Sequence, residues 1–190
     1  MSNAADTAAG IVLTIVLAAI FAGTIYRLWS MIFSAPQRQK ILAYQSGVVL
    51  RGASTEKVLG PGLHWIKPKQ TLVLCDMRPR PFQVAQQELI AADGMAVRIS
   101  LGGEQRIVDA AAFVRESSDG FGTFYLELRQ ALRIAVADYG GDAIVADTAV
   151  LPSRIRELLV PRAAHLGLEI ASLDVSEAVP LGWVRQQGNR

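Results

Sequence analysis

The 190-residue chain has one cysteine, Cys75, and two histidines, His64 and His165. A single thiol excludes an intrachain disulfide and fits a reducing compartment. Two imidazoles so far apart in sequence do not suggest a metal centre. The pairs Gly102-Gly103 and Gly140-Gly141 lack the spacing of a phosphate-binding fingerprint, so no cofactor is expected. The formal net charge is only +2, with no basic run and no arginine–aromatic pattern, which argues against nucleic acid as a partner. No internal repeat, low-complexity tract or heptad pattern is present. A thiol active site would have to be built from Cys75, His64 and Asp76. Cys75 lies in an apolar run and reads as a small buried hydrophobe. Asp76 reads as a strand-end contact to Arg78 or Arg80, and His64 as a packed or surface histidine beside Trp65. No enzymatic activity is expected.

The longest apolar run is Ala8 to Tyr26, which contains no charge, Asn, Gln or Pro. Its polar groups are the hydroxyls of Thr14, Thr24 and Tyr26, and a helix satisfies a threonine hydroxyl with its own carbonyls. At about 1.5 Å per residue the run reaches about 28 Å, near the thickness of a hydrocarbon core. Apolar residues resume after Arg27, so a transmembrane helix is expected within 8–33. Ile11, Leu13, Val16, Leu17, Ile20, Phe21 and Ile25 form the anchor, and Tyr26 and Trp29 suit the interface. A cleaved signal peptide would need a positive n-region, yet Asp6 is the only charged side chain before Ile11. Ala18 with Ala22, and Ala19 with Gly23, place small residues on one face, as helices packed in bilayers do. Arg27, Arg38 and Lys40 follow the span, while Asp6 precedes it, which puts the remainder of the chain on the cytoplasmic side.

About 150 residues remain, enough for one domain with its own core. Residues 1–7 read as a tail, 34–43 as a polar linker, 44–180 as the domain and 181–190 as a second tail. Strand signals dominate first. They are a run over 47–51, a polar loop over 53–57, and a Gly60-Pro61-Gly62 turn feeding a short strand closed by Pro68. An apolar strand over 70–76 reads as buried on both faces, and another strand starts at Phe82. Asp93-Gly94 is a hairpin signal. The alternating run 95–101 follows, with a bulge expected at Gly102-Gly103. The period then turns helical. Asp109 caps 110–116, and a stripe of Phe121, Phe124, Tyr125, Leu128, Leu132, Ala135 and Tyr139 marks the next helix. Asp142 is expected to cap a short helix to Ala146. A further helix from about Pro152 ends at Gly167, with a kink expected at Pro161. A strand over 168–177 closes the chain. The order predicts an α+β domain, an antiparallel sheet covered by helices.

Several of these segments resemble the SPFH domain of the stomatin, prohibitin and flotillin (Band 7) family. The resemblance rests on Gly47-Val48-Val49-Leu50-Arg51-Gly52, Gly60-Pro61-Gly62-Leu63-His64-Trp65, Pro68 and Asp76-Met77-Arg78. Gln87-Glu88 with Asp93-Gly94, Arg106-Ile107-Val108-Asp109 and the closing Gly167–Ile170 segment add to it. It departs at Ala92, at Gly102-Gly103 and at Pro161. Family members usually continue into a long coiled coil, whereas here the sequence ends about ten residues after Pro180. Assembly through such a coil is therefore not expected, while self-association through the anchor and domain edges is. The resemblance implies a non-enzymatic scaffold at the lipid bilayer that organises membrane proteins and lipid microdomains. It also leaves open a regulatory subunit of a membrane protease or channel, or a chain working beside a longer SPFH paralogue.

Overall fold

A computed structural model describes residues 2–33, 36–52 and 54–183, with side chains of the first helix from residue 14 to residue 31. Helix α1, Ser2–Phe33, begins before the apolar run, where Ala4 and Ala5 are strong helix formers. Thr24 Oγ1 donates to the Phe21 carbonyl at 2.8 Å, so the helix satisfies that hydroxyl itself.

Five short strands follow: β1 (Gln37–Ile41), β2 (Gln45–Arg51), β3 (Ser54–Leu59), β4 (Gly62–Ile66) and β5 (Thr71–Asp76). Residues 37–40, read above as linker, form β1, and most of the polar loop over 53–57 forms β3. Gln, Arg, Lys, Ser and Glu have weak strand propensity, but pairing overrides it. β1 pairs antiparallel with β4, and β3-β2-β5 form a second sheet. Ile41, Val49, Leu59 and Ile66 make a small shared core. β5 is not buried on both faces. Cys75 is its one fully buried side chain, and Thr71, Leu74 and Asp76 are exposed.

The third sheet is β6 (Arg80–Ile90), β7 (Met95–Ile107) and β8 (Leu168–Trp183), in that spatial order. Between β7 and β8 run α2 (Ala110–Glu116), α3 (Gly120–Ala137), α4 (Gly141–Ala146) and α5 (Val150–His165). The alternation of β7 buries Met95, Val97, Ile99 and Leu101. Against them pack Phe124, Leu128 and Leu132 of α3 and Ile155 and Leu159 of α5. Each such side chain contributes roughly 1.5–3 kcal/mol. Phe82 meets Phe124 edge-on, with ring centroids 5.4 Å apart. Tyr125, counted in the α3 stripe above, is exposed.

Gly102 and Gly103 are not a bulge, and β7 runs straight through them. The register breaks opposite Ser100 on both neighbouring strands, and on β8 also at Ala171 and Leu181. Ala85 and Gln86 lie opposite Ser100 on β6, and Ser176 is the extra residue beside it on β8. Gln86 has φ 49° and donates its N–H to Ser100 Oγ at 3.0 Å. Ser176 Oγ donates to the Ser100 carbonyl at 3.0 Å. The glycines serve close strand approach, since a Cβ on Gly103 would stand 2.1 Å from the Ser172 carbonyl oxygen. β8 also runs past Glu177 to Trp183, and Pro180 is tolerated there because β8 is an edge strand.

Two aspartates tie helices to the sheet. Asp109 Oδ1 accepts from the N–H groups of Ala111 and Ala112 at 2.9 and 3.0 Å, capping α2. Asp142 does not cap α4, whose N-cap position is Gly140. Asp93 does part of that work from the β6–β7 turn. One carboxylate oxygen accepts from Met95 N at 3.0 Å and the other from Gly141 N at 2.8 Å. Asp93→Ala removes both bonds, and a loss of about 1–2 kcal/mol is expected in urea unfolding of the full chain in detergent, with unchanged slope. Gly103→Ala is expected to destabilise by about 1–3 kcal/mol in the same assay, and more than Gly102→Ala, whose Cβ would meet its nearest atom at 3.3 Å.

Candidate membrane-facing site

From Thr14 to Met31 the first helix is long and apolar enough to cross a bilayer, and no residue in it is buried by the rest of the protein. Val16, Leu17, Ile20, Phe21, Ile25, Tyr26 and Trp29 are each 48–74% exposed. Ala18, Ala19, Ala22 and Gly23 are also uncovered. The side chains of Ile11 and Leu13 lie outside the described residues. Lipid tails in place of water would recover roughly 1.5–3 kcal/mol for each large apolar side chain buried.

Chain geometry brings a second surface beside this helix. β1 starts four residues after Phe33, and n residues span at most ~3.6 Å each, so β1 begins within about 15 Å of the helix end. Its register with β4 pairs Arg38 with Trp65 and Lys40 with Leu63. Strand residues two apart share a face, so these four lie on one side of the ribbon. Ile41 and Ile66 point to the other side and are buried. The outward face carries Trp65 at 59% and Leu63 at 52% exposure, with the Arg38 guanidinium 5.2 Å from the indole centroid. Aromatic, aliphatic and cationic groups on one exposed face match the chemistry of a lipid headgroup boundary. Charge is polarised the same way. Residues 36–76 carry six Lys and Arg against two Asp and Glu, a net +4, whereas residues 77–190 carry 12 against 14, a net −2. All four lysines fall between 40 and 69. Sequence reasoning missed this face, because residues 37–40 look like a linker until β4 is placed beside them. The alternation Arg38, Lys40 against Gln39, Ile41 was the available signal.

The motif residues do not converge on one site. Gly47 is buried in β2, and Arg51 ends that strand. Gly60, Pro61 and Gly62 lead into β4, and Pro68 lies in the turn after it. His64 Nε2 meets the Gly60 carbonyl at 2.9 Å. Asp76 binds Arg78 at 2.5 Å, as expected from the sequence, and the guanidinium also lies 4.1 Å from the Tyr44 ring centroid. That partner holds the Asp76 carboxyl below the usual carboxylate range. Asp93 and Asp109 are the helix ties described above. These residues shape turns, caps and strand ends.

Among the described residues His64 makes no hydrogen bond or ion pair to Cys75 or Asp76. His64 stands in the β1–β4 sheet and Cys75 in the β3-β2-β5 sheet. Asp76 is committed to Arg78, and burial pushes the Cys75 thiol up, away from the reactive thiolate. Cys75 borders an open groove of about 940 Å³ whose walls include Arg78, Arg80, Phe113 and Phe121. Among the described residues no group of three His, Cys, Asp or Glu side chains could hold a metal ion.

Comparison with known proteins places these features. The family described as "SPFH domain / Band 7 family" matches residues 39–185. An uncharacterized protein of Archaeoglobus fulgidus is 24% identical over 136 residues, covering 70% of this chain and 54% of its own length. A stomatin homolog of Pyrococcus abyssi is 23% identical over 167 residues, covering 87% of this chain and 62% of its own. A stomatin homolog of Pyrococcus horikoshii is 22% identical over 164 residues, covering 85% and 62%. The chain thus spans 54–62% of the length of these curated relatives.

The Cys75 environment has a direct readout. Iodoacetamide is expected to label the folded chain at least ~10-fold more slowly than the urea-unfolded chain at pH 8, followed by intact mass. Equal rates would mean an exposed thiol, and faster labelling of the folded chain an activated one.

Proposed function

The chain belongs to the SPFH domain / Band 7 family, and we propose that it is a single-pass membrane scaffold rather than an enzyme. The observation that carries this reading is the uncovered apolar surface of α1, followed at once by the Arg38, Lys40, Leu63 and Trp65 face. The mechanism is physical. α1 holds the chain in the bilayer, and the β1–β4 ribbon lies against the headgroups, Trp65 and Leu63 inward and the cations among the phosphates. Arg27, Arg38 and Lys40 after the span favour a cytoplasmic domain.

Fixed at that height, neighbouring copies meet in two dimensions. Ala18, Ala22, Ala19 and Gly23 let anchors approach closely. The sheet edges at β3 and β8 offer unpaired backbone groups to a neighbour. Repeated contacts of this kind would concentrate particular lipids and membrane proteins around the assembly, which is the function proposed.

Cross-linking of the full chain in lipid vesicles tests self-association. Multiples of the 20.5 kDa monomer are expected at protein densities where Gly23→Leu, which fills the small-residue face, yields fewer of them. A chain that stays monomeric at every density tested would contradict the scaffold reading.

A further inference from the structure

Three cations border a hollow at the membrane-proximal end of the domain. The hollow measures about 390 Å³ and is lined by Pro36, Arg51, Glu56, Lys67, Lys69 and Gln70, with Pro68 between the lysines. Pro36 stands three residues after the last residue of α1, so this wall lies within about 11 Å of the helix end along the chain. Its floor is fixed by hydrogen bonds. The Gln70 side-chain oxygen accepts from Lys67 N at 2.9 Å, and its amide donates to Glu56 Oε2 at 2.6 Å. Gln70 N also donates to the Lys67 carbonyl at 2.9 Å, closing the turn that carries both lysines. Glu56 keeps its negative charge in its bond to the Gln70 amide, so the hollow carries three cations against one carboxylate. Among the described residues no acidic side chain is ion-paired with Arg51, Lys67 or Lys69. Three cations against one carboxylate around one concavity leave a net positive potential for an anion to neutralise.

We propose that this hollow binds the headgroup of a net-negative phospholipid of the leaflet that α1 enters, with its phosphate among Arg51, Lys67 and Lys69. The proposal rests on the anchored reading of α1, because that anchoring holds the hollow at the lipid surface. The guanidinium of Arg51 offers planar, paired donors to phosphate oxygens, and the two ammonium groups of Lys67 and Lys69 act as point charges. The Arg38, Lys40, Leu63 and Trp65 face needs only a generic boundary, whereas the hollow selects by charge. Free inorganic phosphate shares the chemistry but lacks the acyl chains that would hold it beside the helix.

Native mass spectrometry of the full chain tests this, after extraction in mild detergent from floated vesicles of mixed phosphatidylcholine and phosphatidylglycerol. Phosphatidylglycerol is expected to be retained in preference, and added inorganic phosphate is expected not to displace it. The triple variant Arg51→Gln, Lys67→Gln, Lys69→Gln is expected to weaken that preference at least ~10-fold. The charge-matched variant Lys57→Gln, Arg129→Gln, Arg133→Gln, altered at exposed positions outside the hollow, is expected to keep it. Circular dichroism establishes that both variants are folded; should the triple variant unfold, Lys67→Gln with Lys69→Gln is used. A chain that floats with the vesicles yet retains both lipids equally, or a folded hollow variant with unchanged preference, overturns the proposal. Displacement by inorganic phosphate overturns the lipid assignment in favour of a free anion. A chain that does not float overturns the anchor and this proposal with it.

Discussion

Eighteen residues from Thr14 to Met31 present an apolar helical surface that no other part of the described protein covers. An uncovered surface of this kind is unstable in water by roughly 1.5–3 kcal/mol for each large side chain, and a bilayer is the solvent that removes the penalty. The rest of the architecture is arranged around that constraint. The first strand begins where the helix has just ended, and its partner β4 brings Trp65 and Leu63 alongside Arg38 and Lys40. The lysines crowd into residues 40–69, and the distal part of the chain is net negative. Position along the chain therefore maps onto electrostatic polarity.

The distal part is built for persistence. β6, β7 and β8 form a long antiparallel sheet, and α3 and α5 close it over a core that includes Phe124, Leu128, Leu132, Ile155 and Leu159. The joints are specific. Asp93 links the β6–β7 turn to the start of α4, and Asp109 caps α2. Gly167, with φ 71°, brings the end of α5 back so that its carbonyl accepts from the N–H groups of Val108 and Asp109 at 2.9 and 3.1 Å. A side chain there would strike the Asp109 carbonyl oxygen at 2.2 Å. Several residues that carried the family resemblance are of this sort. They hold turns and helix ends.

Much of this was legible because its signal is periodic or chemical. The β7 alternation, the α3 stripe, the Asp109 cap and the Asp93-Gly94 hairpin each follow from residues near one another in sequence. The failures share a physical cause, which is dependence on distant partners. Gln37–Lys40 becomes a strand only because β4 lies beside it. Both neighbouring strands carry an extra residue opposite Ser100, and β8 carries two more at Ala171 and Leu181, whereas Gly102 and Gly103 answer to the Phe82 and Ser172 carbonyls. Asp142 looks like the natural cap of α4, yet Asp93, 48 residues from Gly141, reaches its first turn. The site was half legible. The anchor is local in sequence, but the Arg38–Trp65 face exists only after two strands pair.

The measurement that tests the central claim most directly is alkaline carbonate extraction of membranes carrying the full chain, followed by flotation on a density gradient. A chain held by α1 in the hydrocarbon core stays with the floated lipid, and Leu17→Arg with Phe21→Arg releases it to the soluble fraction. Release of the unmodified chain by carbonate, or retention of the doubly charged variant, would contradict the account.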